Sequence, residues 1–125
     1  MSNSQPNLQI KDFTSFSEIV TKHMKSMGMS QQDLIAASGL SRTTISRICR
    51  NSDDKGSTYH VDSIYVVMAL AVALELTSAQ FDELILIAFP ELRIVKWALD
   101  HSMDIHDINI ELYEQGLSPL GKLED

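Results

Sequence analysis

Cysteine is nearly missing from this chain: Cys49 stands alone, which excludes an intramolecular disulfide and a cysteine-based zinc cluster. Long apolar runs are missing as well. The longest, from Ile64 to Leu74, covers eleven residues, too few to span a bilayer. The opening stretch, Met1-Ser-Asn-Ser-Gln-Pro-Asn7, has neither the basic nor the apolar region of a secretory signal. Basic side chains are scarce, 10 against 17 acidic, and a net charge of −7 argues against global attraction to nucleic acid. There is no glycine-rich phosphate loop, no G-x-S-x-G and no H-E-x-x-H, so no enzyme is expected. Against these absences stand 125 residues, 44% of them hydrophobic, enough for one domain with a real core and an extension. The expectation is a soluble, cytoplasmic protein.

Charge is unevenly spread. Residues 14–77 hold six basic and six acidic side chains, whereas residues 78–125 hold three basic and ten acidic ones, a net of −7. The first part also concentrates Arg42, Arg47 and Arg50 within nine residues that contain no acid. A local basic stripe on a neutral segment is an electrostatic footprint that the overall acidity conceals.

Helix signals dominate, and the chain is expected to be all-α. Ser15 and Glu18 form a capping box ahead of Phe16, Ile19, Val20, Met24 and Met27 at helical spacing, and Gly28 supplies the stop. Ser30 with Asp33 opens a second helix that Gly39 interrupts, and Ser41 caps a third that runs to Arg50 with Ile45, Ile48 and Cys49 inward. The polar stretch from Asn51 to Ser57 is a loop. A fourth helix begins near Asp62 or Ser63, with Ile64, Val67, Met68, Ala71 and Leu74 as its inward stripe. Tyr65, Val66, Ala69, Val72 and Ala73 give it a second apolar face, which normally implies a partner surface. Thr77 with Gln80 caps a fifth helix that ends near Phe89. Pro90 opens a sixth carrying Leu92, Val95, Trp97 and Leu99. Asp104 caps a seventh, with Ile105, Ile108 and Leu112 inward and Gly116 as its stop. The expected division is a flexible segment at 1–13, a domain at 14–89 and an acidic helical extension at 90–125.

Residues 30–50 carry the functional signal. Two short helices joined at Gly39 suit a helix-turn-helix, whose turn needs a residue tolerant of positive φ. Leu34, Leu40, Ile45 and Ile48 would lock the pair, which leaves Arg42, Thr43, Ser46, Arg47 and Arg50 on the outward face of the third helix. Arginine can hold guanine by two bonds, or phosphate, and threonine can bond a base or meet the thymine methyl.

The stretch from Ser30 to Ile48, SQQDLIAASGLSRTTISRI, resembles the Cro/phage-repressor helix-turn-helix family, the XRE-like regulators. The resemblance rests on Gln31, Leu34, Gly39, Leu40, Ile45 and Ile48 and extends from about Ser15 to Phe89. It implies a five-helix repressor-like DNA-binding domain, here with a two-helix C-terminal extension. It also implies that Gln31 contacts the DNA backbone, that Arg42, Thr43 and Ser46 face base edges, and that Thr44 faces phosphate. Ser41, Arg47, Arg50 and, in the following loop, Lys55 complete the expected DNA-binding set. One departure is Ile35, where the family usually has alanine because the two helices cross closely.

The resulting expectation is a sequence-specific transcriptional regulator, a repressor, acting as a homodimer on double-stranded DNA. Residues 90–125 are left for dimerisation or a protein partner. The alternative is a helical protein-interaction module, antitoxin-like or anti-repressor, that does not bind DNA. No cofactor and no metal are expected. His101, Asp104, His106 and Asp107 could invite zinc, but their spacing across a helix start matches no ligand motif. Cys49 reads as a buried, inert thiol and the methionines as core filler.

Overall fold

The computed structural model describes residues 15–52, 56 and 58–121; Lys55 lies outside them. Among the described residues all regular structure is helical: α1 (Phe16–Met27), α2 (Gln31–Ser38), α3 (Arg42–Arg50), α4 (Ile64–Ala73), α5 (Ser78–Ala88), α6 (Pro90–Asp100) and α7 (Ile105–Glu114). None of these helices is long and apolar enough to cross a membrane. Each start has a local cause. Ser15, Ser30, Ser41, Ser63 and Asp104 accept a backbone N–H of the first turn, and Thr77 does the same for Gln80 while Gln80 returns the bond. Pro90 opens α6, where its missing N–H costs nothing.

Among the described residues, five of the seven ends follow one pattern. Gly28, Asn51, Glu75, Ser102 and Gly116 all adopt positive φ. In each case the next residue's N–H reaches back to a carbonyl five positions earlier, from Met29, Ser52, Leu76, Met103 and Leu117. Those are Schellman closures, which satisfy carbonyls that a helix end otherwise leaves bare. α2 ends differently, by a single bond from the Gly39 N–H to the Ile35 carbonyl.

The described residues form two compact units. In the first, α1 packs on α3 and α5, α2 on α3 and α4, and α4 on α5. Its core joins Phe16, Val20, Met24, Leu34, Ile45, Ile48, Val67, Leu70, Leu74 and Leu84. The rotation of α4 departs from the expected stripe: Val67, Leu70, Ala71, Ala73 and Leu74 are buried, while Ile64 and Met68 are 44% and 37% exposed. A helix reading IYVVMALAVA has no polar side to fix its rotation, so its neighbours decide it. Tyr65 and Val72 stand furthest out, 74% and 77% exposed.

The second unit is a hairpin of α6 and α7 around Ile94, Ala98, Ile108 and Leu112. Ile105, expected inward, is exposed as the first residue of α7, and on α6 the buried pair is Ile94 and Ala98, one turn apart, while Leu92 and Leu99 are exposed. Leu117 and Leu120 close the hairpin. Asn109 accepts from the Leu120 N–H at 2.7 Å and donates to the Leu120 carbonyl at 3.1 Å.

Gly39 has φ of +76°, and a Cβ built on it would meet no atom within 4 Å. The cost of a side chain there is therefore backbone strain alone. Gly39→Ala should destabilise by about 1–2 kcal/mol, Gly39→Asn by less and the β-branched Gly39→Val by more. Urea melts give the order; a penalty that followed side-chain size rather than backbone preference would contradict it.

Candidate nucleic-acid interface

Two short helices and the turn between them set the surface. Ser30 holds the start of α2 in a closed box: its Oγ accepts from the Asp33 N–H at 3.0 Å, and its own N–H donates to Asp33 Oδ2 at 2.9 Å. Bonds from the Ser30 backbone, then from its side chain, lower the Asp33 pKa below the usual carboxylate value. The stabilising effect of that box is fully present above the ordinary carboxylate pKa and is lost as pH falls through the depressed one. Asp33 is also the only carboxylate between Ser30 and Arg50, and its Oδ2 accepts the Ser30 N–H. Gln31 and Gln32, in the same turn, are exposed.

Ser41 starts α3, with its Oγ accepting from the Thr44 N–H and donating to Thr44 Oγ1, both at 3.0 Å. Ile45 and Ile48 are fully buried, one turn apart, and fix which face of α3 turns outward. Leu40 is half-buried beside them. Of the expected DNA-binding residues, Gln31, Ser41, Arg42, Thr43 and Arg50 are exposed, whereas Thr44, Ser46 and Arg47 are half-buried. Ile35 is half-buried as well.

The three arginines have different surroundings. Arg42 donates from Nη1 to Gln32 Oε1 at 3.2 Å, a bond between the first turns of α2 and α3. Arg47 acts on Tyr59: burial and the nearby Asp62 charge raise the phenol's pKa, and the Arg47 charge opposes them. Tyr59 in turn stacks on Phe16, with ring centroids 6.3 Å apart. Arg50 lies on an open groove of about 310 Å³ shared with Ser15, Thr21, Cys49 and Asn51.

That groove shows how α3 is tied to α1. Ser17, a buried polar residue, donates to Asn51 Oδ1 at 3.1 Å. Asn51 occupies the left-handed position that closes α3, a conformation asparagine tolerates well. Gln32, Ser17, Asn51 and Tyr59 carry no motif in the sequence. Only the repeated glutamine after Ser30, placed in a first turn facing another first turn, hints at Gln32.

The other candidate groups have local roles. Asp104 caps α7 through the Asp107 N–H at 2.9 Å. His101 meets the Trp97 carbonyl through Nδ1 at 2.8 Å and packs on the Trp97 ring. Cys49, expected to be buried, is half-buried, with Sγ 3.8 Å from Met24 Sδ. Burial pushes its thiol pKa up, which lowers its thiolate fraction at neutral pH. The folded chain therefore loses stability as pH climbs from the ordinary thiol pKa through the raised one. Iodoacetamide should alkylate Cys49 more slowly in the folded chain than in urea at pH 8; equal rates would contradict the shielding.

Searches against protein-family models, curated proteins and solved structures return no match to the chain.

Proposed function

We propose that this chain is a sequence-specific DNA-binding regulator that represses by occupying its operator, with α3 lying in the major groove. One observation carries the reading. The outward side of α3 presents Arg42, Thr43 and Arg50 to solvent, and the only carboxylate in the α2–α3 segment is already bonded to Ser30. On this reading the first turn of α3 meets base edges, Gln31 and Thr44 meet backbone phosphates, and Arg50 at the far end pairs with phosphate. The chain works in the cytoplasm as a homodimer, reading two half-sites about one helical turn, roughly 34 Å, apart. Residues 90–125 serve dimerisation or a protein partner. Their acidic surplus would be repelled by the polyanion that the basic segment attracts.

A second reading, a protein-interaction module of antitoxin-like or anti-repressor kind, is favoured by α4. Tyr65 and Val72 are exposed on a helix with no charged residue, a surface suited to another protein.

Titration of random duplex DNA at low and at moderate salt separates the two. A DNA reader binds measurably at low salt and weakens steeply as salt rises, because each phosphate neutralised releases counterions. Arg50→Ala should weaken binding about equally on all duplexes and make the salt slope shallower by about one. Absence of binding at both salts would overturn the DNA reading in favour of the interaction module.

A further inference from the structure

We infer that Gln32 and Arg42 form a single reading unit that takes a pair of hydrogen-bond acceptors, and that on duplex DNA this pair is the O6 and N7 edge of guanine. The inference rests on the DNA-binding reading above and goes beyond it by adding Gln32 and naming the base.

The two residues are ten positions apart in sequence, and the left-handed turn at Gly39 brings their helices together. The bond between them, Nη1 to Oε1 at 3.2 Å, lies in solvent. An exposed bond between two flexible side chains adds little to stability, so its consequence lies in what it leaves available. A guanidinium carries five N–H donors in a rigid plane. With Nη1 engaged by Gln32, the Nε and Nη2 edge stays whole, as a fork of two parallel donors.

The effect on Gln32 is opposite in kind. Its amide has one acceptor oxygen, and that oxygen faces Arg42. What it turns outward is the NH2 group, a donor. A free glutamine reads adenine by accepting from N6 while donating to N7. With its oxygen engaged, Gln32 is poorly placed for that, so the unit presents donors only. Among the bases, guanine alone offers two adjacent acceptors in the major groove. Phosphate offers two oxygens as well, and the shared chemistry is an acceptor pair. The place of Arg42 at the first turn of α3, where recognition helices meet base edges, favours guanine. The neutrality of Gln32 also matters: an acid in its place would cancel much of the arginine's charge before DNA arrived.

The test combines selection of bound duplexes from a random library with binding and melting curves, for the full chain and three variants. The wild type should enrich guanine at one fixed place in each half-site. Arg42→Ala should abolish that preference, losing roughly tenfold or more on the selected sequence and much less on random DNA. Gln32→Leu should keep the wild-type melting temperature and salt slope yet lose several-fold of the guanine-over-adenine preference. Gln32→Glu keeps an acceptor for Arg42 but replaces the outward NH2 donor with a second oxygen, so it should bind all duplexes more weakly and lose part of the guanine-over-adenine preference. Equal losses from Arg42→Ala on selected and random DNA, with a shallower salt slope, would assign the unit to phosphate and overturn the guanine assignment. An unchanged guanine preference in Gln32→Leu would remove Gln32 from the unit. Duplex binding by the wild type without any guanine enrichment would sink this inference alone. No duplex binding at low salt would sink the DNA reading, and this inference with it.

Discussion

Leu34 is the only buried residue of α2, and an eight-residue helix has no stability of its own in water. The exposed Ser30–Asp33 box is a modest contributor, whereas removing a leucine side chain from water contributes roughly 1.5–3 kcal/mol. Burial of this single side chain, where α2 packs on α3 and α4, therefore sets where α2 lies. Gln31, Gln32 and the Gly39 turn all follow from it. So does the side-chain partner of Arg42, since Gln32 sits on the first turn of α2. A polar surface of flexible side chains thus takes its geometry from one apolar contact beneath it.

The starts of these helices were legible in the sequence because a cap is a local event. Ser15 with Glu18, Ser30 with Asp33, Thr77 with Gln80, and Asp104 are each decided within four residues. Ends are less legible. Gly28, Gly39 and Gly116 announce a left-handed residue, but Asn51, Glu75 and Ser102 take the same conformation without a glycine. There the closing bonds and the packing of the following Leu76 or Met103 outweigh a modest backbone penalty. Rotation about the helix axis was the least legible property. α4 is apolar on every side, so periodicity misplaced Ile64 and Met68, and the inward pair of α6, Ile94 and Ala98, was not singled out.

The second unit meets a different constraint, that of size. Four buried side chains make a small core, and small cores need additional ties. Asn109 supplies one by bonding both polar groups of the Leu120 backbone, as a neighbouring strand would, which holds Leu117 and Leu120 against the hairpin. No pattern in the sequence marks this pair. An asparagine in the middle of a helix is ordinarily a weak helix former facing solvent, and only the returning chain gives it a partner.

At the candidate interface the same limit appears in sharper form. Along the sequence Arg42, Arg47 and Arg50 form one basic stripe of equivalent residues. In the fold they are three different cations. Arg47 is half-buried and near Tyr59, where its charge opposes the rise in the phenol's pKa that burial and Asp62 cause. Arg50 lies on an open groove whose far wall is α1, bolted to α3 by Ser17 and Asn51. Arg42 is exposed and donates to Gln32. Counting arginines therefore misses how differently the fold presents each of them. The partners that distinguish the three residues come from α1, from α2 and from the segment before α4, so nothing within α3 itself could have separated them.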